Sequence, residues 1–134
     1  EVANNKQTVE FRAPDGSADL YHLVAGLVVA AGHGLQMKDA LKKAEELYVD
    51  VNIFDEEHKE KLESLEALPE SCWESAEALE KHREVFENNN IFPKGMIDSI
   101  IKKLKDFNDK DLSERLYGKH EEIQKLVNEH IHCM

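Results

Sequence analysis

Glu10 and Arg12 stand two residues apart in Thr8-Val9-Glu10-Phe11-Arg12-Ala13, a stretch that alternates polar and apolar side chains. The alternation predicts a strand over about residues 8–13, and a strand points positions i and i+2 to one face. A carboxylate and a guanidinium on one strand face can hold a divalent cation and an anionic substrate side by side. Carboxylate oxygen is a hard ligand suited to Mg²⁺ or Mn²⁺, and the guanidinium fork matches a carboxylate or a phosphate. By residue type alone, a Glu-x-Arg pair on a strand is more commonly a surface ion pair. Pro14-Asp15-Gly16 breaks the strand, and Asp15-Gly16-Ser17 reads as a turn and helix cap.

Other chemistry-bearing residues are sparser. His130, His132 and Cys133 cluster near the end of the chain, but three soft ligands without a fourth do not predict a zinc site. The remaining histidines are scattered, and none falls in a Glu-x-x-His diiron arrangement. Cys72 and Cys133 form no disulfide framework, which makes a reducing, cytoplasmic location the expectation. Trp73 reads as a core or interface anchor, and Asp55-Glu56-Glu57 as a solvated helix start favoured by the helix dipole.

The elements that must position these residues are mostly helices. Ser17 or Asp19 can cap a helix in which Leu20, Leu23, Val24, Leu27, Val28 and Ala31 recur at helical spacing. Ala25, Val29 and Ala30 make its other faces apolar, which predicts a central, buried helix stopped by Gly32 and Gly34. A second, amphipathic helix is expected over about 37–48, with Leu41, Ala44, Tyr48 and Val51 inward. A short, weakly amphipathic helix within 55–65 closes at Pro69. Ser71 and Glu74 form a capping box before a strong helix at about 72–87, with Trp73, Ala76, Leu79, Arg83 and Phe86 along one side. Asn88-Asn89-Asn90 is a turn. Pro93 and Lys94 open a helix striped by Ile97, Ile100, Ile101, Leu104 and Phe107. A last, long helix is expected from Asn108 or Asp109 to about His130, with Gly118 a weak point costing about 1 kcal/mol relative to Ala.

At 134 residues, the chain is sized for one domain with a modest core. Its net charge of -11 argues against nucleic acid or an anionic membrane as partner. The longest apolar run, residues 23–31, is too short to span a bilayer and lies too deep, without a basic flank, for a signal peptide. A lone strand cannot satisfy its own backbone, and the chain opens on Glu1 without an initiator Met and stops at Ile131-His132-Cys133-Met134 without a C-cap. Both features predict a piece of a longer protein.

The order of these residues resembles the glutamine synthetase family. That family carries a motif reading roughly R-x-E-x-R-x-P-D-x-x-A-N-P-Y-L, and Glu10, Arg12, Pro14, Asp15, Ala18 and Tyr21 match it. The following apolar helix, with Ala25, Leu27, Ala30 and Gly34, also fits. Leu68-Pro69-Glu70-Ser71, Ala78-Leu79-Glu80, Ile91-Phe92 and Ile97-Asp98-Ser99-Ile100-Ile101 follow in the family's order, so the likeness covers about 8–105. Thr8 replaces the first arginine, which leaves a nucleotide contact unmatched, and Asp19-Leu20 replaces the N-P pair. With the long last helix, these departures point to the large type III branch found in bacteria.

The resemblance implies a fold that is mainly α, a bundle of about five helices with a short N-terminal β-strand belonging to the parent's α+β catalytic domain. Residues 1–16 would be the terminal strand and turn of that domain, and 17–134 its C-terminal helical portion. It implies that Glu10 is a metal ligand and that Arg12 is a catalytic residue holding the glutamate substrate and its developing acyl phosphate. The full-length enzyme would use Mg²⁺ or Mn²⁺ and ATP, with glutamate and ammonia as substrates, in a homo-oligomeric ring. The isolated chain is expected to bind none of these cofactors and to be inactive. The alternatives are a stand-alone acidic helical interaction domain and a small metal-binding bundle.

Overall fold

A computed structural model of the chain describes residues 9–131, apart from 17, 53, 54 and 89. The described residues are mainly helical and hold no strand. The helices are α1 (Leu20–Gln36), α2 (Ala40–Leu47), α3 (Lys59–Ser64, entered through a 3₁₀ turn at Glu56–His58), α4 (Cys72–Glu87), α5 (Lys94–Asp106), α6 (Leu112–Leu116) and α7 (His120–His130). No single helix among the described residues is long and apolar enough to cross a membrane.

The fold centres on α4 and α5, which pack along one another, with α1 laid against α4. Val29 of α1, Ala76 of α4, Phe92 of the connection, and Ile97 and Ile101 of α5 form the buried cluster. Leu79, Val85, Phe86, Met96 and Leu104 pack around it, and the Phe86 and Phe92 rings meet edge to face at 5.9 Å. Ile97, only 2% exposed, contributes on the order of 1.5–3 kcal/mol by leaving water. Ala76 is wholly buried, and its small side chain leaves room for its larger neighbours.

The expected α4 boundaries agree with the structure residue for residue. Ser71 Oγ accepts the Glu74 amide at 3.0 Å, while the Glu74 carboxylate accepts the Glu70 amide at 2.8 Å, closing the box one residue early. Arg83 of α4 donates to Glu87 at 2.6 Å and to Asp98 of α5 at 2.7 Å. Lys105 of α5 donates to Glu80 of α4 at 2.8 Å. Ile97-Asp98-x-x-Ile101 is therefore a packing motif here: the isoleucines enter the core, and the aspartate ties α5 to α4.

Three expectations are corrected. First, α1 runs past Gly32 and Gly34 to Gln36. A glycine inside a helix costs about 1 kcal/mol relative to Ala but does not end it unless the chain turns left-handed. Nor is α1 buried all round: Val29 is buried, while Leu20, Val24, Leu27 and Val28 are exposed. An all-apolar helix needs cover on every side, and among the described residues α1 packs against α2 and α4 alone. Second, Leu41, Ala44 and Tyr48 of the second helical region are exposed, as is Val51. Among the described residues α2 packs chiefly on α1, with Lys61 of α3 donating to its Glu46 carbonyl at 2.7 Å, and neither contact covers its apolar face.

Third, the expected long last helix is two. Gly118 adopts φ +76°, and the chain breaks between α6 and α7. That left-handed value is open to glycine and strained for other residues, so Gly118 terminates the helix instead of merely weakening it. Asn108 and Asp111 take the same left-handed region, at φ 54° each, and set off α6 from α5. Polar, short side chains tolerate this conformation best.

Candidate functional site

The motif segment leads into α1. Ala18 donates to the Asp15 carbonyl at 3.1 Å, making the turn expected at Pro14-Asp15-Gly16. Asp19 caps α1, its carboxylate accepting the Tyr21 and His22 amides at 2.9 and 3.1 Å. Ser17, the other expected cap, lies outside the described residues. The His22 amide and the neighbouring imidazole, 3.1 Å from the carboxylate, hold the Asp19 carboxyl below its ordinary pKa. Asp19 thus caps α1 and adds a negative charge at the positive end of its dipole.

Glu10 and Arg12 come together, with Arg12 Nε 3.5 Å from Glu10 Oε1. Their side chains are 76% and 87% exposed, so the pair is wet and contributes little to stability. Val9 and Phe11, which alternate with them, are exposed as well. Val9 to Ala13 forms no ladder, for no partner strand is present among the described residues. Thr8, the start of the expected strand, lies outside them.

One carboxylate does not fit a Mg²⁺ or Mn²⁺ ion by itself, since such ions take an octahedral set of oxygens. No group of three His, Cys, Asp or Glu side chains among the described residues could hold a metal. The acidic cleft of about 320 Å³ lined by Glu70, Ser71, Glu74, Asp109, Asp111 and Glu114 is no exception. Several of its groups are already engaged: Ser71 and Glu74 cap α4, and Asp109 accepts the Cys72 and Trp73 amides at 2.7 and 3.1 Å. His130 Nδ1 lies 2.9 Å from the Leu126 carbonyl, and its ring meets Phe107 edge to face at 5.5 Å. His132 and Cys133 lie outside the described residues.

The Asp109 clamp has no local signal in the sequence. The sequence pattern places Asp109 at the start of a helix, whereas its carboxylate closes the N-terminus of α4 from the loop after α5. Burial works against its charge, but the Cys72 and Trp73 amides outweigh it and hold the Asp109 carboxyl below the ordinary value of 3.8. The same neighbour affects Cys72. Burial pushes the thiol up, the Asp109 charge adds to the shift, and the thiol stays protonated near neutral pH, a poor nucleophile. Trp73 is half-buried, donates to Glu77 at 3.1 Å, and carries the Lys105 and Lys110 ammonium groups 5.8 and 5.7 Å from its ring, in keeping with an anchor.

Neither the curated proteins nor the solved structures yield a significant match to this chain. Against protein families, residues 2–117 match the model described as "Glutamine synthetase, catalytic domain". The match takes in the Glu10–Arg12 segment, the α4–α5 core and α6, and ends just before the break at Gly118. Covering most of the sequence, it shows that the chain belongs to the glutamine synthetase catalytic domain family.

Proposed function

We propose that this chain is the C-terminal part of a glutamine synthetase catalytic domain and brings Glu10 and Arg12 to an active site that residues beyond it complete. The observation that carries the reading is the Glu10–Arg12 pair itself: adjacent at 3.5 Å, open to solvent, and within the residues that the family model matches. The reaction is ATP-driven activation of the glutamate side chain. Its carboxylate oxygen bonds to the γ-phosphorus as the bond to ADP breaks, giving γ-glutamyl phosphate. Ammonia then attacks the acyl carbon, and phosphate and a proton leave.

Arg12 pairs its planar fork with the substrate carboxylate and the charge that develops on transfer. Glu10 is the oxygen ligand that the motif segment offers to Mg²⁺ or Mn²⁺, which when bound neutralises phosphate charge. The remaining ligands, and the ring in which sites form between subunits, belong to the whole enzyme. The uncovered apolar surface of α1 supports the same reading, because a helix of that composition is normally packed on more than one side. The departures at Thr8 and Asp19-Leu20, together with α7 beyond the matched residues, support placing the parent in the large type III branch.

The test is steady-state kinetics on the full-length enzyme. Glu10→Ala is expected to lose most metal-nucleotide activity with the fold intact. Arg12→Ala is expected to impair chiefly the use of glutamate. Each loss should be on the order of 10²–10³ in rate, as for removal of one charge-stabilising group. Wild-type values for either variant overturn the assignment.

A further inference from the structure

We draw no further inference here: the strongest candidate, the apolar face that α7 presents to solvent through Ile123, Val127 and Ile131 beyond the family match, carries nothing because nothing in the structure shows what covers it.

Discussion

Asp109 accepts two amide hydrogen bonds at the end of α4 where the helix dipole is positive. Asp109→Ala should cost on the order of 1 kcal/mol, as for loss of a helix cap, measured by urea denaturation near neutral pH. The sign of the pH dependence follows from a folded pKa held below 3.8. The contribution is fully present above the unfolded carboxylate pKa and fades as pH falls through the lower folded value. Asp109→Ala should therefore matter least in strong acid, and an equal cost at all pH values would refute the charge-based clamp. For Arg12, replacement by Lys keeps the charge and loses the fork. In the full-length enzyme, Arg12→Lys should raise KM for glutamate more than KM for ATP. At this scale the sequence shows Glu10 and Arg12 because both their spacing and their motif are local. It hides Asp109, whose partners lie 36 and 37 positions away.

Helices α4 and α5 carry the core between them. Ile97→Ala should destabilise by roughly 2–5 kcal/mol through lost burial and a residual cavity, read from the denaturation midpoint. Gly118→Ala should cost about 1–2 kcal/mol if φ stays positive, because a Cβ is strained there. A stabilised variant with increased helicity would mean instead that α6 and α7 can join into one rod. The contrast between these elements explains what was readable. Helix α4 announces both ends locally, with Ser71 and Glu74 at the start and the asparagine turn at the finish. The α6–α7 break depends on the sign of one dihedral, and composition reports Gly118 only as a helix weakener. The extra length of α1 escaped for a related reason: glycine permits a stop without enforcing one.

For the molecule as a whole, the amount of uncovered apolar surface matters most. Leu20, Val24, Val28 and Leu35 line the exposed side of α1, and Leu41 and Tyr48 extend the apolar surface into the α2 region. The isolated chain should bind an apolar-surface dye and lose that binding when produced within the intact catalytic domain. An unchanged dye signal in the two forms would leave the proposed part-of-a-domain reading without its packing support. Purified alone, the chain should give no ATP-dependent γ-glutamyl transfer, since no group of three metal-ligating side chains gathers among its described residues and the reaction's cation needs several ligands. Turnover that survives purification to homogeneity would refute that reading. The helical class was legible in the periodicity. The degree of burial was not, because a single sequence records which faces are apolar without recording what stands opposite them.

The clamp on α4 also sets an order of events in time. Cys72 leaves the ribosome 37 residues ahead of the aspartate that caps it. At about 5–20 residues per second, synthesis imposes a delay of roughly two to seven seconds. During that interval α4 has Ser71 and its own box to hold its first turn, while α5 is still being made. The nascent helix therefore waits in a half-finished state, and the end of α5 delivers its core partner and its second cap almost together.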